Sequence, residues 1–454
     1  MNQTFTLKEK IKQIFVLFIP IFITQMGMFA MVFFNTVLSG NYHSSALAGV
    51  AIGTSIWNPV FIGLSGILLA VSPIAAQYHG EKRKKDVSYV MTHGVYLGFI
   101  IAALVIAAGI FFLDPLLNAM KLDDTVRKVA RGYLIGMGFG VIPLFLFNAL
   151  RSFIYALGNT RIIMMILLFA LPVNLFFNYV LIFGKGVFPE MGGAGGGYAT
   201  AVTYWFILAL TVYVLKTKRP FVHYEKWKYF KVFFWKRCAE ILKIGIPMGF
   251  SMFFETSMFA AVTILISRFT VETVAAYQSA LNIISLLYMI PLSLSMAITV
   301  LIGFEVGAKR FRDANIYSWL GILMSVGIAL FAGLMVVVFR HEVASLYSNE
   351  AEVLALIAQF LIYALFFHIS DSLQVTAQAA LRGYKDVNFS LATTFIAYWV
   401  VCLPCGYLLA HPAGFGPVGY WLGLTIGLLA AGIALSCRLV FIQKRKFVEL
   451  EQAA

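Results

Sequence analysis

Two carboxylates stand alone inside long apolar stretches of this sequence. Glu255 lies near the middle of Ile244–Ser267, and Asp371 lies within His368-x-x-Asp371-x-x-Gln374-x-x-x-Gln378. An ionised acid at the centre of a bilayer costs at least about 2.5–3.5 kcal/mol, so such a residue faces a protein interior or water and marks an ion or proton site by default. Glu255 shares one helical face with Met248, Met252 and Phe259. Thioether and aromatic side chains adapt to varied apolar ligands, which makes Met252 and Phe259 cavity candidates, although plain packing accounts for the methionines more simply. His368, Asp371, Gln374 and Gln378 give the second stretch a polar stripe suited to a water-lined wall. His368 stands one helical step from the carboxylate and reads equally well as a proton partner or a packing residue. A third constellation, Pro172-x-Asn174-x-x-x-Asn178, sets two amides on one face behind a helix-disturbing proline. They can hold a substrate or ion, or bond between helices for about 0.6 kcal/mol each. Paired acids can also do acid–base chemistry, but no G-x-G-D-like or H-E-x-x-H motif accompanies them, so an enzyme is not expected.

The elements that must position these residues follow from composition. Of 454 residues, 61% are hydrophobic and only 12% charged, against roughly 25% charged in soluble domains. An all-α integral membrane protein is expected. Apolar runs fall at about 14–39, 46–77, 88–113, 130–157, 162–184 and 194–215, then at about 240–267, 273–304, 315–339, 353–381, 388–410 and 416–440. Each exceeds or meets the length of a bilayer crossing, and the alternating segments of a β-barrel are missing. The first run is too long for a secretory signal and reads as a retained helix. Cys402 and Cys405 form C-L-P-C inside an apolar run, where they read as small packing residues rather than a redox pair.

The net charge of +14 invites a nucleic-acid partner, but the lysines and arginines cluster between apolar runs, as the positive-inside rule requires. No nucleic acid is expected, and both termini are placed in the cytoplasm of a cell-membrane protein. The longest basic connector, Lys216 to Arg237, carries Trp227 and Trp235, which suit the interface. It divides the chain into residues 1–227 and 228–454, two lobes of six helices. The lobes also repeat. The offset from Pro20 to Pro247 is the same as that from Gly80 to Gly307, Lys82 to Lys309, Arg83 to Arg310 and Asp86 to Asp313. Parallel repeats are a transporter architecture with sites near the midplane, and an ion channel would need a filter-like loop that is not seen.

In four segments the chain resembles the multidrug and toxic compound extrusion (MATE) family, NorM-like branch: AQYHGEKR at 76–83, PVNLFFNY at 172–179, FFETSMFAA at 253–261 and SDSLQVTAQAALRGYKD at 370–386. The resemblance covers nearly the whole chain. It implies two pseudo-symmetric six-helix lobes that export amphipathic, often cationic compounds in exchange for Na⁺ or H⁺, working as a monomer in the lipid bilayer with no other cofactor. It implies that Glu255 and Asp371 hold the coupling cation, Na⁺ as the metal, with Gln278 and Tyr288 as polar neighbours. Asn174 and Asn178 map to an N-lobe polar cluster. One position departs from the family pattern: an aspartate is usual near the end of the first span, and here FFNTVLSG supplies Asn35. An amide exchanges no proton near neutral pH but still offers an oxygen, so the coupling burden falls on Glu255 and Asp371. A flippase for lipid-linked sugars, from a related superfamily, is the alternative; the intramembrane charges recognised in the sequence are acidic, which argues against its basic chamber.

Overall fold

Local sequence dictates helix after helix, and the described residues form twelve long enough to cross a membrane. In this computed structural model, residues 3–219, 221–224 and 234–451 are described. The crossings are α1 (Leu7–Tyr42), α2 (Ser44–Gly80), α3 (Lys84–Ala119), α4 (Asp124–Ala156), α5 (Thr160–Phe183), α6 (Gly193–Thr217), α7 (Trp235–Ile266), α8 (Val271–Gly307), α9 (Phe311–Val338), α10 (Ala351–Gly383), α11 (Val387–Ala410) and α12 (Val418–Glu449). Of the connector's two tryptophans, Trp235 opens α7, whereas Trp227 lies outside the described residues.

Polar side chains at helix ends satisfy backbone groups that the helix cannot satisfy itself. Asp123 accepts from Thr125 N at 2.9 Å to start α4, and Thr270 accepts from Thr273 N at 3.3 Å to start α8. Interior prolines such as Pro20, Pro143, Pro172, Pro247 and Pro291 are accommodated, because neighbouring groups re-satisfy the backbone in a bundle. In α11 the turn over Ile396–Cys402 widens into a π-helix just before Pro404. Proline has no N–H to continue the ordinary ladder and its ring crowds the carbonyl four residues before it, here that of Val400 within the widened turn. Cys402 is buried and free, with its Sγ where a Cβ on Gly427 would lie, 2.2 Å away. It is a packing residue, as the sequence suggested.

The chain forms two compact units. One spans Ile23–Gly249; the other holds the residues through Phe22 together with those from Phe250 onward. The division expected at 227/228 therefore falls instead at 249/250, within α7, and a matching one falls within α1. The physical reason is that the first turns of each helix pack with the unit in which the rest of that helix does not lie. In the first unit, Arg237 pairs with Asp86, and Tyr78 donates to Glu240 at 2.9 Å. In the second, Lys10 is only 2% exposed and lies 2.7 Å from Asp313, while Tyr317 bonds to Thr4 at 2.9 Å and to Gln13. Lys10 and Arg237 are counterparts at the repeat offset, and so are Asp86 and Asp313. The two clasps are thus repeats of one another.

The turns repeat too. Lys82 and Lys309, at φ 60 and 58, and Gly158 and Lys385, at φ 77 and 62, adopt left-handed backbone. In each case the next amide reaches back to close the helix: Arg83 to Tyr78 O, Arg310 to Glu305 O, Asn159 to Ile154 O and Asp386 to Leu381 O. This is the Schellman pattern that usually selects glycine, used here at two pairs of positions that share the offset of the repeat.

The first unit's core is built by close approach of α4 and α6, where a Cβ on Gly197 would lie 2.2 Å from Tyr133 O. The second unit's core centres on Trp421 of α12, whose ring lies 5.5 Å from Tyr277 and 5.9 Å from Phe367. Because Lys10 is buried and Asp313 is not fully so, Lys10→Met removes a charge-assisted bond worth about 1.5–3 kcal/mol. We expect a lower melting midpoint for Lys10→Met in detergent. The double variant with Asp313→Asn should cost less than the sum of the two single changes. Strict additivity would show that the pair is not coupled.

Candidate functional site

Four helices of the second unit converge on the two acids. Glu255 projects from α7 and is partly buried. Tyr288 of α8 donates to its Oε1 at 3.2 Å. Asp371 of α10 is 2% exposed and lies within electrostatic reach of Glu255. Tyr398, on the π-helical turn of α11, also lies within electrostatic reach of Glu255, Asp371 and Tyr288. Two carboxylates and phenolic oxygens form a hard, oxygen-only donor set, which suits Na⁺ or a proton rather than a soft metal. Among the described residues no group of three His, Cys, Asp or Glu side chains could hold a metal ion.

A residue that sequence reasoning assigned to a loop belongs to this cluster. Arg382 was expected just beyond the tenth span, but α10 continues through Gly383. Its guanidinium donates to Gln378 Oε1 at 2.6 Å, and Gln378 donates onward to Thr394 at 3.3 Å. Thus held, Arg382 lies within electrostatic reach of Glu255 and Tyr288. The signal was available: Arg382 stands four residues after Gln378 and continues the polar stripe of the same face.

The remaining predicted residues fall differently. Gln278 is exposed, and the neighbouring Tyr277 is the buried one; nearly three turns of helix also separate Gln278 from Tyr288, so the structure does not join it to the acid pair. Met252 and Phe259 are partly buried, and Phe259 packs edge-on against Phe367 at 5.9 Å. His368 and Gln374 are fully buried, and neither the ring nitrogens of the one nor the amide atoms of the other have hydrogen-bond partners among the described residues. His368 therefore makes no direct bond to Asp371. Buried polar atoms without a protein partner are normally met by water or ligand.

In the first unit Asn35 and Asn174 bond to α6, and Asn178 bonds back to Asn174. Asn35 is 4% exposed; its Nδ2 donates to Gly196 O at 3.1 Å and reaches Thr200 Oγ1 at 3.4 Å. Asn174 Nδ2 donates to Thr203 at 3.1 Å, and Asn178 Nδ2 donates back to Asn174 Oδ1 at 3.1 Å. Asn178 Oδ1 is buried with no partner among the described residues. At position 35 the structure uses a donor against a carbonyl, and an aspartate there could supply that donor only as the neutral acid.

The expectation that the intramembrane charges are acidic fails at Arg151. This residue lies in α4 and is 6% exposed, so the charge argument against a flippase does not stand.

The fit at Asn35 is tight enough to test. A Cβ on Gly196 would lie 2.4 Å from Asn35 Oδ1, so Gly196→Ala should cost about 1–3 kcal/mol by overpacking and lower the melting midpoint. Asn35→Ala should relieve that cost in the double variant. An undiminished cost would mean that Asn35 is not what the new methyl group meets.

Comparison with known proteins resolves which superfamily member this is. A family model described as MatE matches twice, at residues 20–180 and 247–408, beginning at the two prolines that open the repeat. The chain is 50% identical over 98% of its length, and 97% of the relative's, to "Probable multidrug resistance protein NorM" of Halalkalibacterium halodurans. It is 46% identical to the protein of the same description from Bacillus subtilis, over 98% of both chains. Among solved structures, an outward-facing multidrug resistance MATE family transporter of the MOP superfamily superposes with a TM-score of 0.88 at 19% identity, over 96% of each chain. The eukaryotic MATE transporter AtDTX14 superposes at 0.86 and 18% identity, over 98% of this chain and 99% of that one. The superpositions establish the fold, and the family model and relatives establish descent: the chain belongs to the MatE family of multi-pass membrane transporters.

Proposed function

We propose that this transporter exports amphipathic, often cationic compounds in exchange for Na⁺ or H⁺, and that the exchange acts through Glu255 and Asp371. The observation that carries this reading is the acid pair at membrane depth, bonded by Tyr288 and flanked by Arg382. With both acids ionised and one guanidinium in reach, the cluster keeps one negative charge to spare. One monovalent cation at a time answers it, whether drug, Na⁺ or proton.

Competition for that single place drives the cycle. A ligand shifts a conformational equilibrium only through its different affinities for the two states, and a site that cannot serve both cations supplies such a difference. Drug binds from the cytoplasm, where both termini lie; the coupling cation enters from outside, neutralises the pair and displaces the drug. Exchange of one monovalent cation for another moves no net charge, whereas a second coupling ion would add roughly 2.3 kcal/mol per 100 mV. No covalent step is involved, and a single chain suffices.

Drug uptake into inverted vesicles, driven separately by a Na⁺ gradient and a pH gradient, tests this. Glu255→Gln and Asp371→Asn should each lower the driven rate at least tenfold, because an amide neither binds a proton nor carries the spare charge. Wild-type rates for both variants under either gradient would rule the coupling out. Asn35→Asp should add pH-driven transport without changing the Na⁺-driven rate. No gain there would mean that the first unit takes no part in proton coupling even with an acid present.

A further inference from the structure

Arg151 is the membrane-depth charge that cation exchange leaves unused. Its Nη1 reaches Met28 Sδ at 3.4 Å, and its guanidinium lies 5.7 Å from the centre of the Phe147 ring. Tyr155 and Tyr204 are within electrostatic reach, and among the described residues no carboxylate pairs with it. A thioether is a weak acceptor and cannot answer a guanidinium with five N–H donors. Beside it, Asn148 Oδ1 and Ser152 Oγ are buried without partners among the described residues, and both residues are 1% exposed. An under-satisfied polar group of this kind is costly in a medium of low dielectric.

The repeat shows how the shortfall arises. At the repeat offset Met28 is the counterpart of Glu255, and Arg151 is the counterpart of Gln378, one turn before Arg382. Each repeat therefore brings an arginine to the middle of its opening helix. In the second unit an acid meets it, since Glu255 lies within reach of Arg382. In the first, methionine takes the acid's place, and the cation is left to be answered by something else. A planar guanidinium fork matches a carboxylate bidentately, and an intramembrane charge of this kind is a binding-site hypothesis by default.

We propose that Arg151 docks an organic carboxylate, so that compounds carrying a carboxylate bind the first unit with that group against the guanidinium, in the place where Met28 supplies no acid. This rests on the reading of the chain as a carrier of amphipathic compounds and extends it to molecules that bear both charges.

The test is equilibrium binding of two matched xanthene dyes to the purified full-length protein, one a cation with its carboxyl esterified and the other its free acid. Arg151→Gln should weaken the free acid about tenfold or more, the range for a charge-assisted bond, and change the ester less than twofold. Met28→Glu leaves the arginine in place but gives it an internal partner, so it should produce the same selective loss in a protein that keeps its melting midpoint. Arg151→Lys, which keeps the charge but not the fork, should fall between wild type and Arg151→Gln. Unchanged free-acid affinity in Arg151→Gln and Met28→Glu, or equal losses for both dyes, overturns the proposal and leaves the cation reading standing. Binding of the free acid alone would keep this proposal and sink the cation reading, and binding of neither dye to wild type would sink both.

Discussion

A charge at membrane depth has to be met by another charge, by water or by a ligand, because hydrocarbon offers nothing. The second unit meets its charges incompletely and with care. Arg382 is tied to Gln378 and through it to Thr394, which fixes the cation where Glu255 can feel it. Tyr288 gives the same carboxylate a donor. Asp371, almost wholly buried, has no ion-pair partner among the described residues, and it is this excess of acid over base that a mobile cation can satisfy. The widened turn carrying Tyr398 belongs to the same arrangement, since a π-helical segment re-aims side chains that an ordinary turn would hold in register.

The repeat decides where these groups can be. A segment that recurs at a fixed offset folds to the same local geometry, and here the recurrence reaches the left-handed turns at Lys82 and Lys309, the clasps at Lys10 and Arg237, and the unit boundaries after Phe22 and Gly249. Pro20 and Pro247 lie two residues before those boundaries. A proline removes one rung of the helix ladder, and it does so where α1 and α7 pass from one unit to the other. Each of these helices is clasped at its start and carries its membrane-depth residues beyond the boundary: Met28 and Asn35 on α1, Glu255 on α7. A shift at the clasp and a change of charge at the site therefore act on one continuous element.

Much of this is legible in the amino-acid sequence. The apolar runs located all twelve crossings, because nothing but length and hydropathy is needed for that. Glu255 and Asp371 were conspicuous by cost alone, and resemblance added Tyr288. What escaped did so for physical reasons. The unit boundary was placed in the basic connector because charge marks loops, whereas helix halves change neighbours without any change in composition. Arg382 reads as a loop cation because the apolar run ends at about 381 while the helix continues through Gly383. Arg151 does not stand out in the sequence because lysines and arginines read as topology signals, among which one buried member does not show. Gln278 rests on resemblance, and whether a helix turns residue 277 or 278 inward is set by packing: here Tyr277 takes the core position beside Trp421 and Gln278 is exposed.

The fold does not determine the sign of the charge that each unit offers. Both repeats bring an arginine to the opening helix, though from positions one turn apart at the repeat offset, and the acids separate them: Met28 and Leu144 stand where the second unit has Glu255 and Asp371. The consequence extends beyond that pair. In the first unit Asn35, Asn174 and Asn178 each spend a donor on a neighbour, while Asn178 Oδ1, Asn148 Oδ1 and Ser152 Oγ are neutral acceptors without partners among the described residues. Its unspent charge is the Arg151 guanidinium. The second unit's unspent capacity is a carboxylate. Because a buried charge is far costlier to create than a buried amide, each unit's preference is set by the few residues that are ionised rather than by the many that are polar. Two bodies of one architecture can thus favour ligands of opposite charge without any difference in how they fold.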